Sequence, residues 1–287
     1  MSKIELISSM LIFGTIGIFV KYIPLPSSVI AFVRGVIGTL FLLVISLVSR
    51  KKLSFSGTRG RLVPLFISGA LIGVNWILLF ESYNYTTVAV STLCYYMEPT
   101  FVIIASAFLF KERINLRRGI CVALALVGMV FVSGITESGI TSISELRGVL
   151  LGLGAAFVYS SIVLINKKLG GIDSYTKTVI QLFSAAITIF PYILLTQEVT
   201  ELTLDTRGAV LLGIVAVVHT GIAYFLYFGP MGNLRAQTIA IMSYIDPVTA
   251  IILSALFLRE PITPAAIVGA LLILGAAFVS ELPSRKA

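Results

Sequence analysis

Two acidic residues, Glu98 and Asp246, each stand directly before a proline and two residues after a tyrosine, in Tyr96-Met97-Glu98-Pro99 and Tyr244-Ile245-Asp246-Pro247. Both tetrapeptides fall near the middle of apolar stretches long enough to cross a bilayer as helix. A carboxylate there must pair, accept hydrogen bonds or take up a proton, because its charged form is expensive in hydrocarbon. The chemistry on offer is therefore proton carriage or the holding of a cationic group. Pro99 and Pro247 lack an N–H, so the carbonyls of Tyr95 and Ser243, four residues earlier, lose their usual donors. Each such carbonyl costs on the order of several kcal/mol in lipid, so these stretches should face protein or a wet cavity. A fixed kink with each carboxyl bonded to a neighbouring helix is the plainer reading of the same residues.

Three further polar residues lie in apolar stretches. Arg34 and Glu81 sit at similar depths near the outer ends of theirs, where they either pair with each other or anchor a solute's carboxylate and amine. His219, the single histidine, is near the centre of another stretch, where a hydrogen-bonded packing role outweighs proton carriage. With no second histidine or cysteine at ligand spacing, no metal site is expected. The aromatics Trp76, Tyr96, Tyr159, Tyr224 and Tyr244, with Tyr95 and Tyr227, could line a cavity for an apolar side chain or a quaternary cation. Tyr22, Tyr83 and Tyr85 fit an interfacial belt.

These residues need a frame, and composition supplies one. Hydrophobic residues make up 57% of 287, charged residues 12%, and the mean hydropathy is +1.03. That is too little polar material to cover a water-facing surface, so the chain reads as an all-α integral membrane protein. Ten spans are expected, at 4–21, 29–49, 62–84, 87–110, 116–134, 148–168, 174–196, 207–229, 235–258 and 264–281. The first apolar block shows no cleavage site and is read as a span rather than a signal peptide. No loop is long enough for a soluble domain. The net charge of +8 resides in short loops, which argues against nucleic acid as a partner. Cys94 and Cys121 fall inside spans and read as small packing residues. Gly69-xxx-Gly73 and Gly148-xxx-Gly152 read as close helix contacts.

A shift of 148 residues aligns Gly73 with Gly221, Trp76 with Tyr224, and Lys111-Glu112 with Arg259-Glu260. Two repeats, 1–140 and 141–287, thus hold five spans each, and an odd number inverts the second against the first. Sixteen lysines and arginines lie on one side of the expected membrane and four on the other, with Arg34 inside a span. That split puts both termini in the cytoplasm. Carriers built from such inverted repeats place their sites where interrupted helices of the two halves meet, around a central cavity.

The chain resembles the ten-span EamA-type members of the drug/metabolite transporter superfamily. The resemblance rests on Phe13-Gly14 through Lys21, on Arg34, and on the paired endings from Glu98-Pro99 to Lys111-Glu112 and from Asp246-Pro247 to Arg259-Glu260, each followed by a final apolar span with Gly128 or with Gly269 and Gly275. Phe13 stands where many members carry tryptophan, and Glu81 where a small or apolar residue is usual. The resemblance implies secondary transport of small metabolites in the cytoplasmic membrane, without enzymatic activity or cofactor. Export of an amino acid or similar zwitterion, with protons as a candidate coupling ion, is the leading expectation. Carriage of an organic cation is second, a non-transporting membrane sensor or assembly partner is third, and an intramembrane enzyme comes last.

Overall fold

A computed structural model describes residues 2–48, 53–55, 58, 60–109, 116–132, 143–169, 171–197, 202–228 and 242–282. Lys111-Glu112 and residues 235–241 of the expected ninth span lie outside them. All regular structure among the described residues is helical. Helices α1 (Ser2–Lys21), α2 (Ser27–Val48) and α3 (Leu62–Tyr85) follow the first three expected spans. The fourth is divided into α4 (Val88–Tyr95) and α5 (Glu98–Leu109), and α6 (Leu116–Val132) follows. The second half begins with α7 (Ile143–Lys168), five residues earlier than expected, and α8 (Ser174–Thr196). Its third span runs through α9 (Thr206–Ile214), a π-helical stretch (Val215–Ile222) and α10 (Ala223–Phe228). Helices α11 (Ile245–Phe257) and α12 (Pro264–Glu281) complete it.

Seven helical segments among the described residues are long and apolar enough to cross a membrane, and three shorter apolar helices accompany them. Local sequence sets their starts. Thr87, Asp173, Asp205 and Thr263 each accept a hydrogen bond from a backbone N–H in the first turn of the helix they precede, satisfying a donor that has no intrahelical partner. Pro264 opens α12, where its fixed φ fits and its missing N–H costs nothing.

The prolines at 99 and 247 correct one expectation. Neither kinks a continuous helix. Both fall in the first turn of a new one, α5 and α11, and in the first copy the chain turns at Tyr96–Met97 before α5 starts. A proline disfavours helical backbone just before it and is tolerated in a first turn, so the break costs less there than a mid-helix kink.

The exterior is unlike that of a water-soluble protein, and hydroxyls sit inside beside an apolar core. Leu47, Leu116 and Leu195 are at least 80% exposed, whereas Ser9, Ser68, Ser82, Ser91, Thr176 and Thr220 are fully buried. An apolar exterior suits lipid, and most of these interior hydroxyls are bonded within the bundle, whereas the buried hydroxyls of Ser28 and Ser91 have no partner among the described residues. Ser9, for example, donates to the Leu6 carbonyl at 2.8 Å and Ser82 to that of Leu79 at 2.7 Å. Small residues permit close crossings where no hydrophobic force separates helix from lipid. A Cβ on Gly128 would lie 2.8 Å from the Gly269 carbonyl, and one on Gly269 would lie 2.6 Å from that of Gly128, so α6 and α12 cross backbone against backbone. A Cβ on Gly69 would meet the Gln181 carbonyl at 2.5 Å, which pins α3 to α8 as its spacing anticipated.

The neighbours of each helix form a regular scheme. Helix α1 packs on α11, and α7 on α4 and α5. Helix α3 packs on α7, and the α9–α10 span on α1. Helix α3 also packs on α8, and the π-helical stretch on α2. The pairs α2–α8, α6–α12 and α4–α11 join equivalent members of the two halves. Cys94 and Cys121 are both buried in one apolar cluster with Leu93, Met97 and Ile273, as expected of packing residues.

Candidate functional site

Helices of both halves enclose a cavity of about 530 Å3. Small-solute sites usually run from roughly 300 to 1,000 Å3. Its wall includes Arg34, Trp76, Tyr96, Glu98, Pro99, Tyr159, Tyr224, Tyr244 and Asp246 from the sequence-derived set, together with Tyr83, Tyr95 and Tyr227. Pro247, His219 and Glu81 are not on that wall.

The duplicated motif meets itself here. The Tyr96 ring lies 6.3 Å from that of its equivalent, Tyr244. The Tyr96 hydroxyl reaches both the Ser243 carbonyl and Asp246 Oδ2, each at 3.1 Å. Ser243 is the residue whose carbonyl Pro247 deprives of a helical donor, so the tyrosine of one half repairs the break in the other. Tyr95 packs against Tyr159 at 5.5 Å, and Phe13 against Tyr224 at 5.5 Å and Tyr227 at 6.2 Å. Phe13 thus sits among the aromatic rings of the cavity wall. Tyr159 stays 37% exposed within the bundle because its ring faces this space.

Arg34 is 3% exposed. Its Nε donates to Thr220 Oγ1 at 2.9 Å, and its guanidinium lies 4.3 Å from the Trp76 ring centroid and 5.1 Å from that of Phe80. Among the described residues it forms no ion pair, and the candidate partner Glu81 is engaged elsewhere. Glu81 Oε2 accepts from Ser27 at 2.8 Å and from Asn84 at 3.3 Å, tying the end of α3 to the start of α2. The buried arginine therefore has one neutral hydrogen-bond acceptor and two aromatic faces, which leaves the charge uncompensated by any described carboxylate.

His219 packs rather than lines. Its Nε2 lies 2.8 Å from Thr15 Oγ1, its Nδ1 3.4 Å from the Ile214 carbonyl, and its ring 5.0 Å from that of Phe19. The π-helical stretch makes this possible, since its wider turns rotate His219 toward α1 and Thr220 toward Arg34. Tyr83 corrects the belt reading: it is 3% exposed and lines the cavity.

Sequence reasoning missed two polar groups. At one end of the bundle, Gln181 Nε2 donates to Ser68 Oγ at 2.5 Å and to Asn166 Oδ1 at 2.9 Å, while Lys177, Asn166 and Gln181 all line the cavity. Lys177 and Gln181, four residues apart at the start of an expected span, are the signal that could have exposed it. At the other end, Glu260 accepts from the Val88 N–H at 2.9 and 3.1 Å and from that of Ala89 at 3.5 Å, so it caps α4 from across the molecule. Lys21 Nζ stands 3.6 Å from Glu260 and donates to the Tyr83 carbonyl at 2.8 Å. Arg259, just before this cap, is the one described non-glycine residue with positive φ, at 54°.

Known proteins bear on this arrangement directly. The EamA-like transporter family matches residues 4–134 and again 146–281, one copy for each half. The chain is 28% identical over 256 residues to the uncharacterized transporter YxxF of Bacillus subtilis (strain 168), spanning 88% of this chain and 81% of that protein. It is 26% identical over 195 residues to a protein of Salmonella typhimurium (strain LT2) named "Probable amino-acid metabolite efflux pump", spanning 64% of each. A solved crystal structure with 18% identity superposes with a TM-score of 0.64 over 97% of this chain and 96% of its own, which supports the fold. An apolar helical bundle around a polar, aromatic cavity, matched in both halves by the same family, is a multi-pass membrane transporter, and the chain belongs to the EamA-like transporter family.

Proposed function

We propose that this protein is a secondary-active carrier that exports amino acids or related small zwitterions across the cytoplasmic membrane by alternating access. The observation that carries this reading is Arg34. A buried guanidinium without a described carboxylate partner, set beside an aromatic cavity that also holds Asp246 and Glu98, suits a solute bearing both a carboxylate and an ammonium group. Arg34, Trp76, Tyr96, Tyr159, Tyr224 and Tyr244 are the proposed binding residues; Glu98 and Asp246 are the proposed coupling groups, with Pro99 and Pro247 starting the helices that carry them. The efflux-pump name of the Salmonella relative points the same way.

Ten spans arranged as an inverted five-plus-five repeat, with units 1–140 and 141–287 and both termini cytoplasmic, form the proposed frame. Two observations support it. The main contacts between the two halves have counterparts when the halves are exchanged, and lysine and arginine are concentrated on one expected face. Exchange of the two halves' conformations would open the cavity to one face and then the other. Single cysteines at Ser56 and Ser142, positions outside the described residues, should label from opposite sides of the membrane in a background without Cys94 and Cys121. Labelling of both from one side would refute the orientation.

Proteoliposomes loaded with a panel of labelled amino acids and quaternary amines test the substrate class. Amino-acid flux that Arg34→Gln weakens at least tenfold in apparent affinity is expected. Flux of quaternary amines alone would favour the organic-cation reading. That reading draws on the tyrosines and the two carboxyls, but the Trp76 ring already has the Arg34 guanidinium 4.3 Å from its centroid. No flux of any panel member would favour a sensor or assembly role.

A further inference from the structure

Lys177 is the second cation on the cavity wall, and the transport reading above gives it no part. It stands in the first turn of α8, is half-buried, and forms no ion pair or hydrogen bond through its ammonium group among the described residues. A lysine at a helix end ordinarily extends its charge toward the headgroups. Lys177 instead lines the same cavity as Arg34 and Asp246.

Polar groups of three helices stand beside it on the cavity wall. Gln181, one turn further along the same face of α8, gives its Nε2 to Ser68 Oγ at 2.5 Å and to Asn166 Oδ1 at 2.9 Å. The Ser68 hydroxyl also points to Asn166 Oδ1, at 3.4 Å. The amide oxygen of Asn166 is thus taken by two donors of the protein in this arrangement, which leaves its NH2 as the group on offer to the cavity. An ammonium and an amide NH2, both without an acceptor among the described residues, describe a site for an anion.

The network also braces the site across helices. Ser68, Asn166 and Gln181 belong to three different helices, α3, α7 and α8. The Gly69–Gln181 backbone contact locks the first of these against the last. Cost is then paid on folding rather than on binding.

We propose that Lys177 and Asn166 form a second anion-binding station on the transport path, separate from Arg34, that receives the carboxylate of a solute at the α7–α8 end of the cavity. It rests on the transporter reading, and in the proposed orientation this end faces the cytoplasm. A solute to be exported would meet Lys177 first and pass on to Arg34. The two stations keep its carboxylate compensated along a low-dielectric route, and neither holds it for the whole crossing.

A cysteine reporter reads the station without knowledge of the substrate. Val163 lines the cavity one turn before Asn166, so Val163→Cys is placed in a Cys94→Ala, Cys121→Ala background. The rates of reaction with anionic sulfonatoethyl and cationic trimethylammonioethyl methanethiosulfonate are compared on purified protein. Relative to a free thiol, the anionic-to-cationic ratio should be raised about tenfold, as expected for a nearby unscreened cation. Lys177→Gln should return it to the free-thiol value, Lys177→Arg should keep it, and Arg34→Gln should leave it unchanged. A ratio indifferent to Lys177→Gln, while Lys177→Arg and the parent behave alike, overturns the proposal. The same ratio in nanodiscs distinguishes a solute from a lipid. Equal values in phosphatidylcholine with and without phosphatidylglycerol are expected, whereas a collapse with phosphatidylglycerol would assign the site to a headgroup and overturn the station. Failure of amino-acid flux with the ratio intact would overturn the substrate class and leave the anion site standing.

Discussion

Lys21 and Lys177 stand near opposite ends of the same bundle, yet their ammonium groups meet different surroundings. Along α3, Tyr83 neighbours the first and Ser68 the network beside the second, a separation of about 22 Å at 1.5 Å per residue. Lys21 pairs with Glu260 and donates to the Tyr83 carbonyl, and Glu260 in turn caps α4. Those charges satisfy one another and the backbone, and four helices, α1, α3, α4 and α11, are tied at one rim. At the other end the polar atoms also bond one another, but the network is built so that a cation and an amide donor are left over. A rim closed on itself and a mouth with spare donors are the two conditions an alternating-access carrier needs at the same moment, one at each face.

The largest effect should come from breaking the closed rim. Glu260→Gln removes a charge that caps two backbone N–H groups and pairs with Lys21, a loss of about 2 kcal/mol by the scale for hydrogen bonds to charged groups. That corresponds to roughly a thirtyfold shift toward an open rim. A cysteine at Thr92, on the cavity wall, should then label at least tenfold faster with an impermeant maleimide added on the Lys21 side. Arg259→Gly should act in the opposite sense, because glycine accepts a φ of 54° that costs arginine on the order of 1 kcal/mol. Unchanged labelling in both variants would mean that this rim does not gate the cavity.

Next in size is the loss of coupling. In the proposed mechanism Glu98 or Asp246 exchanges a proton with each cycle, so Asp246→Asn or Glu98→Gln should abolish accumulation driven by a pH gradient while sparing exchange of substrate for substrate. The amides keep shape and remove the acid, so the comparison with exchange isolates charge from packing. If both variants still concentrate substrate, the two carboxyls serve structure. Asp246 already has one structural partner in the Tyr96 hydroxyl, which makes that outcome chemically reasonable for it in particular.

How far the sequence could go depends on what kind of signal each residue leaves. The long apolar helices were legible because about twenty apolar residues in a row match the thickness of a bilayer's hydrocarbon core and exceed what most soluble helices bury. That Tyr96 and Tyr244 would share a cavity was a sequence expectation, because the motif occurs twice, but the bond from Tyr96 to Asp246 emerges only from the structure. Lys177 and Asn166 were not, since they lie at span ends where cations are common, and a span apolar on nearly all faces gives no stripe to say which side points inward. The π-helical stretch that aims Thr220 at Arg34 leaves no composition of its own. Glu260 looked like the end of a family motif, and only the position of α4 reveals that its carboxylate reaches a backbone 172 residues away in sequence.

The smallest effect separates lining from packing. His219 and Tyr96 are both interior polar residues with partners in another helix, but only Tyr96 faces the cavity. Tyr96→Phe removes the donor to Asp246 and to the Ser243 carbonyl, so it should raise the apparent KM for substrate several-fold and lower stability by about 1 kcal/mol. His219→Gln keeps a group able to bond Thr15, fits the π-helical turn without adding a charge, and should leave KM within twofold of the parent while lowering the melting temperature by only a few degrees. Measured together in proteoliposomes and by thermal unfolding, the pair forms an internal control. A change of KM for His219→Gln as large as that for Tyr96→Phe would extend the binding site through the bundle to Thr15 on α1. An unchanged KM for both would leave Arg34 and the two carboxyls as the groups that select the solute.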